Sequence, residues 1–486
     1  MQFPSAEQIQ NRLISDRRLT AALGGVFIGA VAALIGLLLA LGGPVLAIAA
    51  VIGVGVGLYI LTDLMAALYI TIAVVALLPF ATIPVKVAVV PTFIDVALGS
   101  FLLVYAFQWM LGKRRGFRFV PAQTFILIFI LFTLFSFVAG LANAPFTTTV
   151  LRQFVEMILA IGIALVLPDV VRDEDTLRRI VLVIIVVGAV EAIIGLALVL
   201  INPQTAERIL LALSRFGYPN SGVIRYRNDD PLQAERAVGT WVDPNAYGGF
   251  LMMAAAVAGI QALSPRPVTG KRWPAFIAFM LLAATIWLTR SRGALLALAA
   301  VMAIVGILRY RWLLAMLILA TGLVLVLPFT QADVQTFIEG VNGQDLSTQM
   351  RLGEYKDALT LVGRYPIIGV GFTGTPERDI YLGVSMLYLK IAGATGLVGL
   401  ALYMLAVGET FRYGLRRWQR LTESPGLFSL WLGFTAGLFG ALVSGIFDHY
   451  YFNIEFNGSV LIFWLFVGLS LAAAQLVDKP DVAKAA

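Results

Sequence analysis

The sequence predicts an all-α polytopic membrane protein of about 14 transmembrane helices, with two long extracytoplasmic loops, the second partly helical. Three observations lead there. Hydrophobic residues make up 60% of the 486 and charged residues 13%, whereas a soluble domain carries roughly a quarter charged residues. So few charges cannot cover a water-facing surface, and mean hydropathy is correspondingly high at +0.90. Apolar runs long enough to cross a bilayer core, roughly 20 residues each, recur along the chain. Finally, the cations gather in short loops between those runs, so the net charge of +7 reflects membrane orientation and does not suggest a nucleic-acid partner.

Taken in order, the expected spans lie near 21–42, 43–62, 64–81, 92–112, 121–142, 149–169 and 180–201. The second half of the chain continues with 244–264, 274–289, 293–308, 313–329, 385–407, 427–447 and 457–477. Five segments follow: N-terminal helices 1–201, a first outer loop 202–243, central helices 244–329, a large outer loop 330–384, and C-terminal helices with a short tail 385–486. With the N-terminus inside, most of the 35 Lys and Arg fall in inner segments such as Arg12–Arg18, Lys113–Arg118, Arg172–Arg179, Arg266–Arg272 and Arg412–Arg420. The reverse orientation would violate the positive-inside rule, so both termini are expected in the cytoplasm. The polar, acid-containing start shows no cleavage pattern of a removable signal peptide.

The large loop has its own pattern. In STQMRLGEYKDALTLVGRYP, Met350, Leu352, Tyr355, Leu359 and Val362 recur at roughly helical spacing after a possible cap at Ser347. That predicts a short amphipathic helix near the outer face, followed by the turn-rich PIIGVGFTG.

Chemistry is sought among the cations that the orientation rule leaves outside. Arg236 lies near the start of AERAVGTWVDPNAYGGF, in which Asp243-Pro244-Asn245 reads as a turn opening the next span. Arg290 and Arg292 crowd the outer turn TRSRGA, and Arg351 begins the loop helix. Each has an ordinary reading as a snorkelling or surface-paired arginine, and acids are interleaved around Arg351. Together they sketch an electropositive outer cavity suited to a lipid-linked diphosphate, because the planar guanidinium binds two oxygens at once.

Ionisable groups within or near spans need separate explanations. Arg152 and Glu156 are spaced for an i,i+4 pair; Asp95 and Lys390 lie near the outer face; Glu191 sits near mid-span, either binding a proton or hydrogen-bonded. The single histidine, His449, lies in the outer turn DHYYFNIEF, and there is no cysteine. These counts exclude disulfides, thiolate sites, cysteine nucleophiles and histidine-cluster metal centres. Neither G-x-S-x-G, a phosphate-binding glycine loop nor H-E-x-x-H is present.

The order of motifs from about 236 to 470 resembles the O-antigen ligase and O-antigen polymerase superfamily. The pieces are RAVGTWVDPN (236–245), TRSRGA (289–294), RLGEYKDAL (351–359), YPIIGVG (365–371) and LYLKIAGATGLVG (387–399). Residues 1–200 match only as hydrophobic spans. The resemblance implies a metal-independent, cofactor-free glycosyltransferase of a bacterial inner (cytoplasmic) membrane. Its donor would be an undecaprenyl-diphosphate-linked oligosaccharide and its acceptor a glycan, lipid or protein, with membrane lipid as the surroundings. Arg236, Arg292 and Arg351, with Arg290 alongside, would hold the diphosphate. Where such proteins usually carry a histidine and an asparagine before the Leu-Tyr-Leu tract, this chain has Ser385 and Met386. The base that accepts the acceptor's proton is then sought at His449, at a carboxylate such as Asp379 or Glu377, or in solvent. With His449 in that role, the rate is expected to fall through about pH 6–7. A transporter or an inactive, substrate-binding relative is the alternative. A transporter would require paired broken helices in two related halves, and no such symmetry is visible. A purely structural component would leave the outer arginines without a task.

Overall fold

In the computed structural model, residues 63–83, 90–114, 116–375 and 383–478 are described, together with Gly29. The chain divides into two compact units, residues 1–67 and 68–486. The expected spans near 21–42 and 43–62 fall outside the described residues, as do Glu377 and Asp379. Helix α1 (Leu64–Leu77) begins at the end of the first unit and continues into the second.

The remaining expected spans coincide with helices: α2 (Phe93–Met110), α3 (Ala122–Gly140), α4 (Thr148–Val170) and α5 (Glu174–Leu200) come first. After the short helix α6 (Pro203–Ala212) and a hairpin of β1 (Arg225–Tyr226) with β2 (Glu235–Arg236) come α7 (Pro244–Leu263), α8 (Arg272–Leu288), α9 (Arg292–Leu308) and α10 (Trp312–Val326). Helices α11 (Gln331–Val341) and α12 (Leu346–Arg364) occupy the large loop, and α13 (Leu387–Leu415), α14 (Trp418–Glu423), α15 (Pro425–Ser444) and α16 (Asn457–Leu476) complete the chain.

Among the described residues, eight helices are long and apolar enough to cross a membrane. The expected count of fourteen is therefore not reached by that measure. Helices α1, α8 and α9 are apolar but only 14, 17 and 17 residues long. Helix α10 counts only if joined to α11 and α12 across a 99° bend. The multi-pass, all-α architecture stands. Two details of the large loop differ from expectation. Helix α12 starts after Asp345, not at Ser347, and α11 precedes it where no helix was expected.

The interior is organised around α16, of whose span 94% is buried. It packs on α4, while α7 packs on α8 and α15, and α13 on α3. Aromatic rings fill the junction: Phe129 stacks on Trp464 at 5.9 Å, Tyr403 stacks on Phe463 at 6.0 Å, and Phe129 also meets Phe452. Such contacts supply apolar burial with defined geometry.

The PIIGVG segment docks on a break in α13. The Gly371 N–H donates to Ala394 O at 2.9 Å, Val370 N–H to Gly393 O at 3.0 Å and Leu397 N–H to Pro366 O at 2.7 Å. Ser136 Oγ, from α3, donates to both Ile368 O and Ala394 O. Gly396, within α13, has φ +69°, and its missing Cβ would collide with the Ile367 carbonyl. These two motifs are therefore a packing device that fixes the C-terminal end of the large loop.

Gly371 has φ +80°, and a Cβ there would lie 2.6 Å from Gly140 Cα. A left-handed L-residue alone costs roughly 1–2 kcal/mol, and this neighbour is backbone. Gly371→Ala is expected to lower the thermal unfolding midpoint of the purified protein clearly. Gly363→Ala, with open space around it, should leave the midpoint within error. Equal midpoints for the two variants would refute the seam.

Candidate functional site

The loop between β2 and α7 is held at every turn, and Arg236, the last residue of β2, leads into it. The Ala237 N–H donates to Leu288 O at 2.9 Å, and Trp241 Nε1 donates to Ala76 O at 3.0 Å. Glu191 of α5 is fully buried and accepts from the Thr240 N–H at 2.7 Å and from Thr240 Oγ1 at 3.1 Å. The same helix takes the Tyr247 hydroxyl on Glu191 O at 2.7 Å. Gly239 has φ +52°, and a Cβ would overlap both Glu191 and Tyr247. Of the two readings open for Glu191, the hydrogen-bonded one describes its place: it pins the Arg236 loop. Arg236 itself donates through Nε to Thr289 O at 2.9 Å and through Nη2 to Asn245 Oδ1 at 2.7 Å.

Asp243 is the N-cap of α7, accepting from the Asn245 and Ala246 N–H groups, each at 2.8 Å. That satisfies the orphan donors of the first turn and places negative charge at the positive end of the helix dipole. The cap also faces Asp448, in the turn between α15 and α16. Burial and the Asp448 charge push the Asp243 carboxyl up, against the pull of its N–H donors and Arg236. Burial likewise pushes Asp448 up, while Arg351 and Arg236 draw it down. The two arginines thus act on one carboxylate although they lie 115 positions apart (351 − 236).

The Asp448 turn is anchored by its aromatics. Tyr450 and Tyr451 are buried, and Tyr451 Oη donates to Gly249 O at 3.2 Å. The His449 N–H donates to Asp448 Oδ1 at 2.8 Å, and its imidazole Nδ1 lies 3.4 Å from the same oxygen. Helix α12 closes the other side: Tyr355 Oη donates to Ser385 O at 3.1 Å, and Glu354 Oε2 accepts from the Ser385 N–H at 2.9 Å. Ser385 is thus held through its backbone, one turn of α12 away from Arg351.

Burial and the neighbouring Lys390 charge push the His449 imidazole down to about 4, outweighing Asp243, Glu354 and Glu455. The expected titration near pH 6–7 is corrected accordingly. A desolvated imidazole beside an ammonium is neutral at pH 7 and a poor proton acceptor.

Arg290 and Arg292 are held by a second pair of carboxylates. Asp333 of α11 bridges Arg227 and Arg290, and Arg227 also reaches Thr336 Oγ1 at 3.0 Å. Arg292 Nη2 bonds Asp345 Oδ2 at 2.7 Å. Burial raises the Asp345 carboxyl, but the Arg292 and Thr348 hydrogen bonds outweigh it and hold it low. Arg290 adopts φ +53°, a left-handed conformation uncommon for a side chain of its size. Its predecessor Thr289 supplies the carbonyl that Arg236 grips, so the two arginine groups abut.

The charges in and beside the spans have quieter roles. Arg152 pairs with Glu156 at 2.8 Å, as expected, and also with Asp95 at 3.0 Å; Thr92 and Asn457 complete the network. Among the described residues no group of three or more His, Asp or Glu is arranged to hold a metal ion. Asp243 was expected only as part of the turn opening the span, and Asp448, Arg227, Asp333 and Asp345 were not singled out from the sequence. Asp448 carried a usable signal, because an acid in a short interspan turn is as informative as the histidine beside it.

Residues 277–404 match a family model described as O-antigen ligase. The matched region runs from α8 into α13 and contains Arg290, Arg292, Arg351 and Ser385; Arg236, Asp243, Asp448 and His449 lie outside it. It agrees with the resemblance read from the motifs. No curated protein matches the chain.

Because His449 is the only histidine, its titration is directly observable. Nuclear magnetic resonance of imidazole-labelled protein should give a midpoint near 4, with the ring neutral from pH 5 upward. The folded value lies below the ordinary 6.5. Stability from this group is therefore fully present above about pH 6.5 and is lost as pH falls toward 4. A midpoint of 6–7 would mean that the ring is solvated, and it would restore His449 as a base.

Proposed function

We propose that this member of the O-antigen ligase superfamily transfers a glycan from undecaprenyl diphosphate to an acceptor hydroxyl at the outer face of a bacterial inner membrane, both termini being cytoplasmic. The observation that carries the reading is the placing of Arg236 and Arg351 where both act on the half-buried Asp448, beside the Asp243 cap. The O-antigen ligase region supports the chemical class.

Two carboxylates that act on each other in a half-buried place resist full ionisation. If one keeps a proton, Arg236 and Arg351 carry surplus positive charge that can hold an anion. In the reaction the acceptor oxygen forms a bond to the anomeric carbon of the donor sugar. The bond from that carbon to the diphosphate oxygen breaks, and its electron pair leaves with the lipid diphosphate. The arginines stabilise the charge that develops there. The acceptor's proton passes to Asp448, whose pKa, raised by burial, brings it closer to the working pH than an ordinary carboxylate. Asp448 replaces His449 as the preferred base. Arg290 and Arg292, held by Asp333 and Asp345, flank the donor site. A glycan, a lipid or a protein remains open as acceptor, since polymerisation and ligation share this donor chemistry.

The test uses purified protein in lipid nanodiscs with undecaprenyl-diphosphate oligosaccharide and an added glycan acceptor. Asp448→Asn should lower turnover by about 10²–10⁴, and His449→Gln by much less. Arg236→Lys and Arg351→Lys should both raise the donor KM, because lysine keeps the charge but loses the two-pronged fork. Normal turnover by Asp448→Asn would remove it as base, and unchanged donor KM in both lysine variants would remove the clamp.

A further inference from the structure

The hairpin of the first loop holds an arrangement that its own stability does not explain. In the β1–β2 register Arg225 is paired directly with Arg236, and Tyr226 with Glu235. Directly opposed residues of an antiparallel pair project from the same face, with Cβ atoms roughly 4.5–5.5 Å apart, and like charges in that relation are destabilising. Glu235 follows the strand alternation to the opposite face, so it cannot neutralise the pair. The hairpin is otherwise well formed: the Arg227 N–H donates to Ala234 O at 3.1 Å and the Gln233 N–H to Asp230 O at 2.9 Å. The two arginines are thus held side by side by a defined backbone.

Arg225 differs from its neighbours. Arg227 and Arg290 share Asp333, Arg292 has Asp345, and Arg236 has Thr289 O and Asn245. Among the described residues, Arg225 has no carboxylate partner, and its Nε is buried without a hydrogen-bond acceptor. Withholding an acceptor from a buried charged donor is costly, more so than for a neutral one. An anion between the two guanidinium groups would remove both penalties, the repulsion and the unmet donor. Asp333, lying between Arg227 and Arg290, shows one anion gripped in that way by an arginine of the same hairpin.

We propose that Arg225 is a further substrate-binding residue, which with Arg236 holds the second phosphoryl group of a diphosphate whose first lies between Arg236 and Arg351. The inference rests on the donor reading above and deepens it: the site binds two linked phosphates, not one. It assigns the Arg225 side of the hairpin to recognition of the donor.

The experiment measures binding of inorganic phosphate and inorganic pyrophosphate to the full-length protein in nanodiscs, by displacement calorimetry. The native protein should bind pyrophosphate at least about tenfold more tightly than phosphate, a difference of roughly 1.4 kcal/mol. Arg225→Gln should bring pyrophosphate to the level of phosphate and leave phosphate unchanged. Arg225→Lys, which keeps the charge and the stem, should lose only part of the preference and serves if the glutamine variant folds poorly. With the lipid-linked donor, Arg225→Gln should raise KM by a similar factor. An undiminished pyrophosphate preference in both Arg225 variants, with Arg236→Gln weakening both probes, would overturn the role of Arg225 alone. If neither probe binds the native protein, or Arg236→Gln affects neither, the donor reading falls with it.

Discussion

The arrangement at this end of the bundle depends on one carboxylate doing two things. Asp243 starts α7 by accepting its first N–H groups and, from the same position, faces Asp448. A cap cannot be moved without unravelling the helix start, so the charge it presents is fixed by the fold. Asp448 is brought opposite by a turn whose tyrosines lodge against Gly249 of the same helix. Two neighbouring carboxylates with little access to water resist carrying two charges, and Arg236 and Arg351 supply positive charge beside them from two different loops. Their positions rest in turn on Glu191, which pins the first loop, and on the Glu354 and Tyr355 contacts to Ser385, which pin the second.

Much of the fold was legible because lipid imposes a simple rule on sequence. Among the described residues the expected apolar runs became helices, and α12 appeared where its spacing indicated, while α6, α11 and α14 had not been expected. Hydropathy does not register elements whose reason for existing is tertiary. The hairpin has strands of two residues each, too short for alternation to show. Helix α11 is tied down by Asp333 to arginines on two other segments, and such pairing has no local signature. Four expected spans miss the length test: α1, α8 and α9 are apolar but short, and α10 bends into the loop helices, while two more lie outside the described residues.

The site was half legible. Arg236, Arg292 and Arg351 stood out because cations on the expected outer side break a strong rule. Their carboxylate partners did not, because an aspartate at a helix start reads first as a cap, and Asp345 and Asp333 read as surface charges. His449 drew notice for its rarity, yet its surroundings depress its basicity. No sequence pattern reports desolvation by residues hundreds of positions away. Ser385 departs from the family pattern in the segment that the family model covers, whereas Asp448 and Asp243 lie outside that segment. The proposed proton acceptor, Asp448, therefore lies in a part of the chain that the family model does not cover.

The central claim is that Arg236 and Arg351 grip the same diphosphate. A double-mutant cycle on kcat/KM for the lipid-linked donor, using Arg236→Lys, Arg351→Lys and their combination, tests it most directly. Side chains sharing one ligand couple by about 0.5–3 kcal/mol, whereas distant independent ones add to within about 0.3–0.5 kcal/mol. The account predicts strong coupling, with the double variant little worse than the poorer single variant. Losses that simply add would mean that the two arginines act on separate groups, and would contradict it.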